Sequence, residues 1–231
     1  MYKRQARYES GVYLPSKIFI ARDLAFPNGV FTVEELPNSE DWDVWLPSAD
    51  ASGDTIIVFA VNVMSSFLTF YWRTYDMGAT WVSDTFPGGW IDTPIPRIGR
   101  GGYVAVITDR TVDYGWEALT PFFLESLDGG QTWIDTINLW DACGWTPYDS
   151  AGGWWYVYDF VLDENDKPHI AWKIGAGTYE YGDCWYYSPG GGAPGAWTDW
   201  GYTLIAGDGQ GGNYVTQPTI TYDQSHGVLY Y

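Results

Sequence analysis

Positive charge is scarce in this sequence: 11 lysines and arginines stand against 29 acids in 231 residues, a formal net charge of −18. No arginine follows Arg110. A field of that sign repels phosphate, so nucleic acid and anionic membrane surfaces are poor partners. Neutral polysaccharides, cations or a wet, salty exterior suit it, and so does a plain need for solubility. Long hydrophobic runs are missing as well, which excludes a membrane-spanning helix and membrane insertion by one. The opening stretch Met1–Ser10 carries basic residues but no apolar core, so this segment holds no signal peptide. Histidine occurs only at 169 and 226, too far apart to read as a metal motif. No glycine-rich phosphate loop precedes a helix, and no serine has an evident catalytic partner, so no cofactor and no metal are expected. Only two cysteines occur, Cys143 and Cys184, which limits the chain to one internal disulfide.

What the chain has in quantity is aromatic residues and glycine. Aromatics make up 19%, with 15 Trp and 19 Tyr, and glycine occupies 28 positions. Aromatic and β-branched residues fit pleated, half-buried surfaces, whereas glycine belongs in turns, so the expected class is all-β. With 46% apolar residues the chain can bury a sizeable core. Trp, Tyr and Gly richness reads as extracellular, and the expectation is a mature or excised segment of a secreted protein. The end, Gly227–Tyr231, reads as a strand cut in mid-course.

Two stretches share the pattern [ST]-x-D-x-G-x-T-W: Thr74, Asp76, Gly78, Thr80 and Trp81, then Ser126, Asp128, Gly130, Thr132 and Trp133. They are spaced by 52 residues (Asp76 to Asp128), within the period of a propeller blade. Each lies between two aromatic-rich strands: residues 67–73 and 81–86 for the first, 121–125 and 133–139 for the second. Each motif is therefore a hairpin turn, its Asp bonding backbone N–H groups and its Gly supplying φ > 0. The returning Trp packs in the core. Two worn copies extend the series, one around Asp23 and Gly29, the other running from Cys184–Ser188 to Ala196–Trp200.

The pattern resembles the bacterial neuraminidase repeat, or Asp-box, of sialidases, xyloglucan-degrading hydrolases and sortilin-type receptors, over roughly residues 17–231. That resemblance implies a β-propeller of four-stranded antiparallel blades, about four in this chain. It also implies that the box residues are structural and remote from the functional face. The strands fall into a half-blade at 17–36, blades at about 42–86, 94–139 and 150–205, and a half-blade at 217–231, after an irregular polar segment at 1–16. Asp163–Lys167 lies between paired strands and reads as a hairpin turn in preference to a calcium loop. The two half-blades are expected to complete one another, within a chain or by exchange in a homodimer, unless the chain is part of a larger one. Cys143 and Cys184 fall on the loop face of one blade and are expected to form a disulfide.

In such a fold the loops from the fourth strand to the next first strand, and from the second to the third, share one face. The first class carries Trp42 with Asp43, Trp90 with Asp92, Trp145 with Tyr148 and Asp149, and Tyr214 with Gln217. Indole faces accept the C–H faces of pyranoses, and acids accept hydroxyl hydrogen bonds, so Trp42, Trp90, Trp145, Tyr148 and Tyr214 are the candidate ligand-binding residues. The alternative is that each ring plugs the gap between blades. The second class adds Asp109, Asp113 and Glu180. Glycoside hydrolysis needs two carboxyl groups, for which Asp43, Asp92, Asp109, Asp113, Asp149 and Glu180 are the candidates, although solvated loop acids would look the same. Sialidases use three arginines spread over several blades and an Arg-Ile-Pro motif. Here Ile95-Pro96-Arg97-Ile98 has the order wrong, which argues against sialidase activity. The resulting expectation is an extracellular propeller that recognises glycan or polysaccharide, with a xyloglucanase-like hydrolase or a non-catalytic scaffold as alternatives.

Overall fold

The computed structural model describes residues 3–5, 8–9, 12–13, 17–22, 31–40, 44–62, 68–86, 92–111, 119–134, 137–144, 157–174, 183–207 and 218–231. The chain divides into two compact units, Met1–Pro94 and Ile95–Tyr231. Both are built of antiparallel sheet.

The first unit opens with β1 (Lys3–Gln5), β2 (Tyr8–Glu9) and β3 (Val12–Tyr13), followed by β4 (Lys17–Arg22) and β5 (Thr32–Glu35). β2 and β3 form a short hairpin, and β1, β4 and β5 form a three-stranded sheet in which Lys3 faces Phe19 and Phe19 faces Glu35. This corrects the expectation of an irregular segment at 1–16. β1 pairs with the edge of β4 opposite β5. The polar run forms a strand because β4 offers it a ladder, a non-local reward that local composition does not register. A four-stranded sheet follows in sequential order: β6 (Trp45–Ser52), β7 (Thr55–Val61), β8 (Thr69–Thr74) and β9 (Val82–Thr85).

Burial in that sheet follows sequence. β7 is a run of β-branched and aromatic residues, and Ile57 to Val61 are all fully buried, as a strand covered on both faces requires. Val58, Ala60, Phe70 and Trp72 pack on one side with Ile18, Ile20 and Leu36. Phe59, Tyr71 and Phe86 form an aromatic group on the other, with centroids 5.5–6.2 Å apart. The outer strand β9 is largely exposed. Trp72 is completely buried and its indole N–H donates to the Pro37 carbonyl at 2.7 Å.

The second unit holds two further four-stranded sheets. The first comprises β10 (Asp92–Ile98), β11 (Val104–Thr111), β12 (Leu119–Ser126) and β13 (Ile137–Asn138), with a helix α1 (Leu139–Cys143) directly after it. Of the strand expected at 133–139, the described residues show Ile137–Asn138 as strand and Leu139 as the start of the helix. Asn138 accepts hydrogen bonds from the N–H groups of Trp140 and Asp141, capping the helix and ending the strand. The second sheet comprises β14 (Val157–Leu162), β15 (Pro168–Ile174), β16 (Asp183–Gly191) and β17 (Thr198–Ala206). The hairpin β18 (Thr221–Asp223) and β19 (Val228–Tyr230) closes the chain.

Alternation along β15 sorts its two faces. Ile170 and Trp172 join Tyr158, Phe160, Trp185 and Tyr187 in a core shared with Ile107 and Phe123 of the preceding sheet, Tyr103 just before β11 and Leu139 of α1. Ala171 and Cys184 face the other way and pack with Ile220 and Leu229 of the terminal hairpin. Each sheet of this unit is therefore one layer of a stack.

Candidate functional site

Sequential strand order puts two kinds of connection at opposite ends of each four-stranded sheet. The first-to-second and third-to-fourth turns share one end, here the turn end. The second-to-third connections and those leading to the next first strand share the other, the loop end. The two [ST]-x-D-x-G-x-T-W motifs occupy turn ends. The Thr74 hydroxyl donates to Asp76 Oδ1 at 2.6 Å and accepts from the Gly78 N–H at 2.9 Å. Asp76 also accepts from the N–H and hydroxyl of Thr80, at 2.9 and 2.6 Å. Ser126, Asp128, Gly130 and Thr132 repeat this set, at 2.7 Å for Ser126 to Asp128, 2.8 Å for Gly130 to Ser126, and 2.8 and 2.6 Å for Thr132 to Asp128. Gly78 and Gly130 have φ of +86° and +87°, a region closed to most other residues.

Hydrogen bonds from Thr74 and Thr80 hold the Asp76 carboxyl at about 2. For Asp128 partial burial pulls upward, but bonds from Thr132 and Ser126 outweigh it and the carboxyl again lies at about 2. Both acids are consumed by their own turns and have no oxygen committed to outside chemistry. Trp81 and Trp133 are half-buried; Trp81 packs against the core of the first unit, and its indole N–H reaches Glu34 of β5 at 3.2 Å.

The expected disulfide does not form: Cys143 and Cys184 are both free thiols. Cys143 ends α1 and packs against the core between the two sheets, whereas Cys184 packs on the opposite face of β16 with Ala171 and Ile220. A sheet thus separates the two sulfurs. Burial pushes each thiol up to about 11.

At the loop end, Asp92 opens β10 and Asp109 lies near the close of β11, so topology brings these two acids to the same end of adjacent strands. Trp42, Asp43, Trp90, Asp113, Trp145, Tyr148, Asp149, Glu180 and Tyr214 lie outside the described residues.

One polar network escaped the sequence reading. Arg97 of β10 donates to Asp159 Oδ1 of β14 at 2.7 Å and to the Phe160 carbonyl at 2.8 Å. Asp159 Oδ2 accepts the Ile220 N–H at 3.3 Å. The guanidinium thus ties together the first strands of two sheets, and the carboxylate extends the tie to the terminal hairpin. No local motif announces such a pair, since its members lie 62 residues apart. Another buried set lies on β15, where His169 bridges the Tyr186 hydroxyl (2.5 Å) and Asp163 (3.4 Å), and burial lowers its pKa. Asp163 Oδ1 meanwhile accepts the N–H groups of Asn165 and Lys167, which shapes 163–167 as a hairpin turn. Among the described residues no cluster of His, Cys, Asp and Glu is arranged to hold a metal ion.

No protein-family model matches the chain, and no curated protein sequence does. Solved structures do. The NanB sialidase of Streptococcus pneumoniae aligns over 93% of this chain and 32% of its own, with a TM-score of 0.52 and 13% identity. The fold is a sialidase-type β-propeller. The intramolecular trans-sialidase of Ruminococcus gnavus aligns over 96% of this chain and 50% of its own, at TM-score 0.49 and 13% identity. A Trypanosoma rangeli sialidase mutant displaying trans-sialidase activity aligns over 88% and 42%, at TM-score 0.34 and 9% identity. The propeller described here spans half or less of each of these proteins, and at such identities the likeness concerns fold alone.

Proposed function

We propose that this propeller recognises carbohydrate outside the cell, through the aromatic and acidic residues of its loop ends. One feature of the sequence supports the reading: Trp42, Trp90, Trp145, Tyr148 and Tyr214 each stand near an acid or amide in stretches that the blade pattern reads as loops. Rings on such loops offer stacking surfaces for sugar C–H faces, and Asp43, Asp92 and Asp149 accept from hydroxyls. Asp76 and Asp128 are held within their own turns, so a ligand would not draw on these two acids. NanB, similar in fold, is a sialidase, and a sialidase acts on sugar. With charge −18 the ligand is a neutral glycan or polysaccharide, not nucleic acid or an anionic surface.

A hydrolytic role has one specific observation in its favour, the placement of Asp92 and Asp109 at one end of adjacent strands. Affinity electrophoresis on gels containing xyloglucan, β-glucan or mannan, run beside a reducing-sugar assay on the same polymers, separates the readings. Retardation without sugar release is the expected result. Sugar release abolished by Asp92→Asn or Asp109→Asn would instead establish a glycoside hydrolase. Neither retardation nor release would leave a non-catalytic scaffold.

A further inference from the structure

A cleft of about 380 Å³ opens at the turn end of the β14–β17 sheet, between the turn at 163–167 and the turn at 191–197. Its apolar wall is Pro189, Pro194 and Trp197, its polar wall is Asn165 and Lys167, and the Gly190–Gly192 run forms the floor. Glycine there serves the turn, since a Cβ at Gly192 would meet the Ala196 carbonyl at 2.2 Å. The same run leaves peptide groups uncovered by side chains.

The Trp197 wall is braced from behind. Its indole N–H donates to the Tyr103 hydroxyl at 3.2 Å, and that hydroxyl donates to Glu125 at 2.6 Å. Glu125 also accepts the Gly195 N–H at 3.0 Å, so the turn carrying Pro194 and Trp197 is fixed to the neighbouring sheet. A cleft whose wall is held before any ligand arrives loses little entropy on binding.

We infer that this cleft is a second carbohydrate site, taking a neutral mono- or disaccharide unit. Its volume lies at the lower end of the roughly 300–1,000 Å³ of small-molecule sites, the size of one or two sugar rings. Pyranose C–H groups meet proline and indole, while hydroxyls meet the Asn165 amide, the Lys167 ammonium and bare peptide groups. The lining carries one charged side chain, Lys167, and its turn also holds Asp163, Glu164 and Asp166, so the cleft has no surplus of positive charge to draw an acidic sugar. None of the loop-end residues takes part, so the inference stands apart from the reading above.

Indole N–H resonances of the ¹⁵N-labelled full chain test it, with cellobiose, maltose and N-acetylglucosamine as neutral probes and glucuronate as the charged one. The Trp197 resonance, assigned with Trp197→Phe, is expected to shift saturably with at least one neutral probe. The combined change Asn165→Ala, Lys167→Ala removes two turn side chains while leaving the brace intact. It should weaken that binding about tenfold. Trp90→Ala with Trp145→Ala should leave it unchanged. Absence of any saturable Trp197 shift overturns the inference, as does glucuronate binding more tightly than every neutral probe. Equal affinity in the Asn165/Lys167 variant overturns the location. Shifts confined to other indoles would support the loop-end reading and count against this one.

Discussion

At the scale of single residues, the two turn acids illustrate how a carboxylate can be spent on structure. Asp76 and Asp128 titrate at about 2 in the fold, against 3.8 for an ordinary aspartate. A depressed folded value means the stabilisation is fully present above about pH 4 and is lost as the pH falls toward 2. Melting curves from pH 6 to pH 2 should therefore show a steep acid limb. Asp128→Ala should shallow that limb and cost about 2 kcal/mol at neutral pH, since several charge-assisted bonds go at once. An unchanged limb would remove the turns from the account. These motifs were legible in sequence because Ser or Thr, Asp and Gly act within eight residues of one another. The cysteines were misread for the opposite reason: sharing a blade does not decide which face of it a side chain occupies. Thiol titration without reductant should find two thiols after unfolding and slow reaction before it, Cys184 being buried, Cys143 half-buried and both raised to about 11. A blocked pair after unfolding would restore the disulfide.

At the scale of elements, the third strands were the most legible, since the aromatic-rich runs 67–73 and 121–125 stand directly before the two turn motifs. Less legible were the parts that depend on distant partners. Lys3–Gln5 becomes a strand only against Lys17–Phe19, and α1 displaces a strand only through the Asn138 cap. The brace at Glu125 is likewise a meeting of three elements. Its carboxyl is almost wholly buried, and desolvation raises its pKa despite the bonds from Tyr103 and Gly195. An acid raised in the fold destabilises as the pH climbs through its folded value, because the unfolded chain ionises more easily. Glu125→Gln keeps an oxygen acceptor for both donors and removes the buried charge. It should raise the melting temperature at pH 8 and leave it nearly unchanged at pH 4.5. A lower melting temperature at pH 8 would mean that the carboxylate itself is needed.

At the scale of the whole molecule, the fold class followed from aromatic-rich strands separated by glycine turns at blade spacing, and the fold of NanB agrees with it. The candidate site was legible only as a pattern of residue types between strands, because residues so far apart in sequence form no contiguous motif. Arg97 and Asp159 make the same point from the structural side, as a pair that no stretch of sequence contains. The central claim is that the loop ends bind neutral carbohydrate through stacked aromatic rings. Calorimetric titration of the best-retarded polysaccharide, or its oligosaccharides, into the wild type and into Trp90→Ala, Trp145→Ala and Tyr214→Ala variants tests it most directly. The account predicts saturable binding to the wild type and about tenfold weaker binding for each lost ring, with melting temperatures preserved. Undiminished affinity in all three variants, or no binding by the folded wild type to any neutral glycan, would contradict it.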